Sequence, residues 1–294
     1  MLLAVFLIST IQLAGPLVLS ACGGFTSERS GVINIALEGN MLISAAVTAI
    51  VAFSTKSAIL GVTAGVCSSV MTSSCHWLLT QIYRLDHVVS GMAINLFALG
   101  ATNFLNQKAT GVMSNGSMPK LARLEVAFGG QKTYISIYLL IAYLLPFALH
   151  YWMKNTRAGL RLCAVGNDPE KARLAGIKPV YVRLLSQLAT GLFTGLSGAM
   201  IADSAGRFTD NMTAGMGYIA LAALIMGGWM PVPAFLACLA FGAFEALQIS
   251  LQGTHIAGIS IPVQIWQSAP YLLAIVALAG AIKKTTPPYG LGKP

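Results

Sequence analysis

Apolar residues run through this chain in stretches too long and too frequent for a soluble core. They cover 2–25, 41–53, 58–79, 88–105, 134–153, 184–201, 217–226, 233–251 and 269–282, with short polar intervals between them. A helix needs about 20 mostly apolar residues to cross a bilayer, and most of these runs meet or approach that length. The pattern predicts an all-α, polytopic integral membrane bundle of about eight spans, and up to about ten if interrupted segments and one external stretch are counted separately. No polar interval is long enough for a soluble domain, so residues 1–294 read as one transmembrane domain.

Two interruptions stand out. The run from Met41 to Phe53 is too short to span alone, and to cross it must draw in Ile33 to Gly39, bringing Asn34 and Glu38 toward membrane depth beside Asn40. Gly31 and Gly39 permit irregular backbone there, which lipid tolerates only inside protein or beside a watery cavity. The segment is thus either a broken helix on a translocation path or a cytosolic turn. The second interruption, Gly227-Gly228-Trp229-Met230-Pro231, ends the short run that begins at Gly217. Interrupted segments in both halves of a chain point to a pathway near the midplane. Glu245 lies inside its apolar run, where a carboxylate is costly and faces the interior or a cavity. Asn95, mid-run, either binds solute or bridges helices, and Ser90 lies a turn away. Asn34, Glu38, Asn40, Ser90, Asn95, Trp229 and Glu245 are the candidate pathway residues. Gly61 with Gly65, and Gly191, Gly195 and Gly198, form small-residue faces suited to close helix packing. Pro146 can kink its span.

Charge orients the bundle. Between two spans, Lys154 to Arg183 holds seven basic residues against Asp168 and Glu170. Lys and Arg beside a span resist translocation, so this loop is placed in the cytosol. The alternation of spans then puts twelve of the 18 Lys and Arg inside and the other six outside, and it puts Asn106 to Lys132 outside as loop with a surface helix. The net charge of +9 follows from this asymmetry and does not call for nucleic acid or another acidic ligand. Asp203, Arg207 and Asp210 fall at an outer end, open to a binding protein. His87 reads as an interfacial residue at a cytosolic turn.

The central loop has its own helix signals. Asn167 or Asp168 suits an N-cap, Pro169 suits the first helical position and Glu170 suits the first turn. Lys171, Ala172, Arg173, Leu174 and Ala175 follow, and Gly176 suits the position just past the end. A helix of about two turns is marginal alone and needs something to dock on. Ala172 and Ala175 share a face and would fit a partner's groove.

Four stretches carry a resemblance. TRAGLRLCAVGNDPEKARLAGI (156–177) is similar to the cytosolic loop of ABC importer permeases in the branch that handles branched-chain amino acids, simple sugars and nucleosides. SERSGVINIALEGNMLI (27–43) resembles the signature of the nucleoside and simple-sugar permeases, and GMAINLFALG (91–100) and GYIALAALIMGGWMP (217–231) resemble further segments, in the same order. The resemblance implies a coupling helix at Asn167–Gly176 that docks in an ATPase subunit. It also implies a second permease subunit, an external solute-binding lipoprotein, a small polar solute of the nucleoside or simple-sugar kind (riboflavin-like compounds included), and a bacterial cytoplasmic membrane. ATP would be bound by the partner subunits, with no cofactor on this chain.

Composition agrees with membrane residence: 56% hydrophobic and only 9% charged, against about 25% charged in soluble domains. The five cysteines form no CxxC pair and read as small buried hydrophobes. Leu19-Ser20-Ala21-Cys22 mimics a lipoprotein box but has no basic residue before it, so residues 2–25 read as the first span, with an N-terminus short for the family. There is no GxxxxGK[ST] phosphate loop, no HExxH, no GxSxG and no Cys/His metal spacing, so neither ATP hydrolysis nor an intramembrane enzyme is expected of this chain. The remaining alternative is a self-sufficient transporter or channel using Glu38 and Glu245 as ion-coupling carboxylates. Glu170→Cys, in a background lacking the native cysteines, is expected to resist membrane-impermeant thiol reagents applied from outside. Strong labelling from outside would invert the topology.

Overall fold

The computed structural model describes residues 2–113, 118–121, 123–128, 131–251, 255–256, 259–260, 268, 272, 275 and 286–293. Ten α-helices are described: α1 Leu2–Arg29, α2 Leu37–Thr55, α3 Ala58–Trp77, α4 His87–Met113, α5 Ile137–Asn155, α6 Arg157–Asn167, α7 Pro169–Leu174, α8 Pro179–Ala205, α9 Met216–Met226 and α10 Pro231–Leu251. A π-helical turn, Leu78–Ile82, extends α3. Seven of the described helices are long and apolar enough to cross a membrane, and α9 is a shorter apolar helix. The expected span at 269–282 lies outside the described residues, apart from single positions.

The external stretch differs from expectation. Helix α4 continues to Met113, and beyond it strands β1 (Arg123–Phe128) and β2 (Gln131–Ser136) pair antiparallel, Arg123 opposite Ser136 and Phe128 opposite Gln131. Val126, Phe128, Thr133, Tyr134 and Ile135 favour a pleated strand over a surface helix. A second, two-residue pairing joins β3 (His255–Ile256) to β4 (Ile259–Ser260). Asp203 is buried and accepts from the Leu121 backbone N–H at 3.1 Å, so it pins the external stretch to α8 and is not open to a binding protein.

Helix α8 is the hub, packed on α1, α2 and α3. Lipid tails offer no hydrophobic drive between helices, so contact depends on close approach and side-chain hydrogen bonds. Both occur here. A Cβ on Gly191 would meet Val70 Cα at 2.5 Å, and one on Gly195 would meet Val66 Cα at 2.9 Å. The Ser69 and Thr194 hydroxyls pair at 3.1 Å, Thr26 and Thr190 at 3.0 Å, and Ser197 donates to the Pro16 carbonyl at 2.7 Å. On the other side of α1, Leu17, Phe25, Leu139, Leu224, Phe235 and Phe241 form an apolar core among α1, α5, α9 and α10. Pro146 lies within an uninterrupted α5.

Gly191→Ala is expected to unseat α8 from α3 and cost about 1–3 kcal/mol, as overpacking does. A Cβ on Gly100 meets nothing within 4 Å, so Gly100→Ala is the silent control. Thermal aggregation of the detergent-solubilised protein distinguishes the two, and equal midpoints would remove the packing role of Gly191.

Candidate translocation site and coupling surface

Helix α1 ends at Arg29 and α2 starts at Leu37, so residues 30–36 are not helical. The sequence reading had drawn Ile33 to Gly39 into the second span, but only Leu37 onward is helix. The intervening backbone is held by side chains of α3 and α4, and Asn34 ties it to α8. The Ile33 N–H donates to His87 Nδ1 at 3.2 Å, and the Ile33 carbonyl accepts from His76 Nε2 at 3.0 Å. In the neutral His76 ring, Nδ1 then accepts from the Ser90 hydroxyl, 3.0 Å away. Asn95 Nδ2 donates to the Ile35 carbonyl at 2.9 Å, and Asn95 Oδ1 accepts from the Gly39 N–H at 2.8 Å. Asn34 caps its own turn through the Ala36 N–H (3.0 Å) and donates to Gln187 Oε1 on α8 at 3.0 Å.

The helices flanking this segment hold both ends of α9. Glu38, 7% exposed, accepts from the Thr213 hydroxyl at 2.6 Å, the Gly215 N–H at 2.8 Å and the Gly217 N–H at 2.7 Å. It therefore caps a helix N-terminus, where free N–H groups and the helix dipole favour an anion. The turn that aims these donors is tight: Asn211, Ala214 and Gly215 all have positive φ, with Gly215 at 82°. At the other end, Glu28 Oε2 accepts from the Trp229 indole N–H at 2.5 Å, and the Asn34 backbone also bonds to Glu28. Trp229 itself sits at φ 54°, a conformation rare for a bulky residue and sustained by its surroundings.

The predicted pathway residues thus separate into three groups. Asn34, Glu38, Ser90, Asn95 and Trp229 converge on the two broken segments, but their polar atoms are directed at protein groups. Asn95 is the helix-bridging alternative; its second Nδ2 bond goes to the Tyr218 hydroxyl at 2.9 Å. Asn40 is fully buried and neither amide atom has a partner among the described residues. Glu245 lies on α10, and no described contact brings it to this cluster. Sequence reasoning missed Glu28, Gln187, Thr213 and His76, and it read His87 as interfacial, whereas His87 is buried and bonds the Ile33 backbone. The histidines are scattered in sequence, yet their ring centroids lie 6.5 Å apart around Ile33. Glu28 was inside a quoted signature, and a carboxylate so close to an apolar run was the available signal. No group of three metal-ligating side chains occurs among the described residues.

In the loop between α5 and α8, Asp168 is the N-cap of α7: its Oδ1 accepts from the Lys171 N–H at 3.1 Å, while Asn167 ends α6. That N–H, and then the Lys171 ammonium, hold the Asp168 carboxyl below the usual carboxylate range. A depressed carboxyl keeps its cap above its unfolded value and loses it only as pH falls through the lowered one, far below cytosolic pH. Gly176 (φ 79°) closes the helix, its N–H donating to the Arg173 carbonyl and the Ile177 N–H to the Ala172 carbonyl, each at 3.0 Å. That is a complete Schellman cap. The small-residue face expected of α7 does not point outward as a whole. Ala172 is buried against its own chain at 4% exposure, whereas Leu174 is 86% exposed, with Glu170, Lys171, Arg173 and Ala175 around it. The loop also contains α6, which was not foreseen, although Thr156 caps it by accepting from the Gly159 N–H at 3.1 Å. Arg183, counted with the loop, lies buried within α8.

Residues 6–280 match the family described as branched-chain amino acid transport system/permease component. The chain belongs to this permease family. It is 34% identical to the guanosine ABC transporter permease protein NupQ of Bacillus subtilis, covering 100% of this chain and 97% of that protein. It is 33% identical to the nucleoside ABC transporter permease protein NupC of Lactococcus lactis, covering 93% and 90%. A solved metal-chelate type ABC transporter in an inward-facing conformation shares the fold, with a TM-score of 0.53, 16% identity and coverage of 93% of this chain and 84% of that one.

For the permease, Glu38→Gln is expected to reduce folded protein in the membrane, because an amide nitrogen facing backbone N–H donors leaves at least one unpaired, at about 1–3 kcal/mol. Detergent-extracted yield and melting temperature measure this. Normal yield with a raised transport KM would instead make Glu38 a solute ligand.

Proposed function

We propose that this permease lines the membrane path of an ATP-driven importer for a nucleoside-like solute, in a bacterial cytoplasmic membrane. Its partners on this reading are ATPase subunits, a second permease that is identical or paralogous, and an external solute-binding lipoprotein. The observation that carries the importer reading is α7: a helix of six residues, capped at both ends, with Leu174 in the open. Isolated helices this short do not persist without tertiary support, and a helix fixed so firmly around one exposed leucine suits a receiving groove. Simple sugars are the second solute class, on the resemblance of residues 27–43.

A self-sufficient carrier would need ion-coupling carboxylates. Glu38 is occupied by three donors, and Glu245 stands apart from it, which supports the partner-driven reading. The ATPase site belongs to the partner, and nucleotide chemistry is assigned to no residue of this chain.

Leu174→Asp is expected to cut ATPase co-purification and solute uptake about tenfold, as loss of a central apolar anchor does, with the permease still folded. Lys171→Gln removes only an exposed rim charge and is expected to be nearly silent. Radiolabelled guanosine uptake, with competition by unlabelled nucleosides and by simple sugars, assigns the solute class. Undiminished ATPase binding and uptake in Leu174→Asp would remove α7 from coupling.

A further inference from the structure

Residues 286–293 lie against the cytosolic ends of three elements. The Gly290 N–H donates to the Gly166 carbonyl at 2.9 Å, in the last turn of α6 and just before α7. The Gly292 N–H donates to the Gly31 carbonyl at 2.9 Å, at the entrance to the unwound segment. The Lys293 carbonyl accepts from Arg183 Nη2 at 2.9 Å. Arg183, 1% exposed, also donates through Nη1 to Gln81 Oε1 at 2.7 Å and through Nε to the Ser30 carbonyl at 3.3 Å. Space is tight along this path: a Cβ on Gly290 would stand 2.8 Å from the Gly166 carbonyl oxygen and 3.1 Å from Pro169 Cδ, the first residue of α7.

Stability alone does not account for Arg183. The three acceptors it reaches are neutral, and a buried guanidinium with neutral partners is commonly less stabilising than an apolar residue of its volume. What a guanidinium offers is a rigid planar fork that holds several acceptors in one fixed geometry. Here the acceptors belong to the end of α1, the turn after α3 and the 286–293 segment.

We propose that Gly290–Lys293 and Arg183 form a strap that transmits displacement of α7 to the unwound segment 30–36, making them positioning residues for coupled transport. This rests on the reading of α7 as the ATPase-docking helix. Motion of α7 pulls on Gly166 and Pro169, and the strap carries it through Gly290 and Gly292 to Gly31. Arg183 keeps the far end of the strap and Ser30 in register.

The test uses the permease reconstituted in proteoliposomes with its ATPase and binding protein, measuring solute moved per ATP hydrolysed. Gly290→Ala wedges the strap off the coupling loop and is expected to keep ATPase binding while solute per ATP falls about threefold to tenfold, the size of other mutational changes in site coupling. Arg183→Met and deletion of 286–293 are expected to uncouple in the same way, and Gly100→Ala is the control. A merely structural strap would lower yield or melting temperature and leave solute per ATP unchanged. An unchanged ratio in both Gly290→Ala and the deletion overturns the proposal. If Arg183→Met does not fold, Gly290→Ala decides alone. Failure of the wild-type permease to bind the ATPase, or full uptake in Leu174→Asp, would defeat the docking reading instead.

Discussion

A peptide group without a partner inside a bilayer has no water to turn to, and lipid-facing irregular backbone does not occur for that reason. This chain breaks its helices twice, and the way the broken ends are satisfied organises the rest. Residues 30–36 take their partners from His76, His87 and Asn95. The free N–H groups at the start of α9 take theirs from Glu38, and the turn after α9 is tied to Glu28 through Trp229. Two carboxylates ten residues apart therefore grip both ends of one short helix. Neither break can move without the other, because separating them leaves charged or backbone groups unpaired in a low-dielectric interior.

That arrangement gives the polar residues of the cluster a structural role in satisfying broken backbone. A residue whose donors and acceptors are spent on backbone groups has little left for a passing molecule. Asn95 is the plainest case: its oxygen and both directions of its amide nitrogen are occupied. The cluster is better understood as a rigid joint between two half-helices. The half-exposed Tyr218 ring at the first turn of α9 is fixed to the same joint by its hydroxyl, which accepts from Asn95.

The spans, the two interruptions and the caps of α7 were legible because each depends on local rules: run length, glycine and proline positions, and the chemistry of helix ends. Asp168, Pro169 and Gly176 could be placed from neighbours within the same ten residues. Partners distant in sequence were not legible. Glu38 and Gly217 are 179 residues apart, and His76 and His87 meet only because two helices bring them to opposite sides of one residue, Ile33. The direction of the α7 face was misjudged for a related reason. Ala172 and Ala175 lie on one side of the helix, but which side turns outward depends on where α6 and α8 sit. That tertiary placement buries Ala172 and leaves Leu174 in the open. In the hairpin, Leu124, Val126 and Phe128 alternate with polar or small residues, but the run is only 6 residues long and is set among turn residues.

Besides the 286–293 segment, α6 touches the end of α1 directly. Gly166, in the last turn of α6, has no room for a side chain because the Arg29 carbonyl lies directly against it. Arg29 ends α1, and the preceding residue, Glu28, holds Trp229. A push on α7 therefore reaches α6 through the single residue Asp168 between them, then α1, then the turn beyond α9. Each step is a backbone contact or a buried hydrogen bond, which transmits displacement because close-packed contacts resist compression. The permease thus joins the short helix α7 to a joint of two broken helices across one turn of α1, so a displacement of α7 would reach both interruptions together.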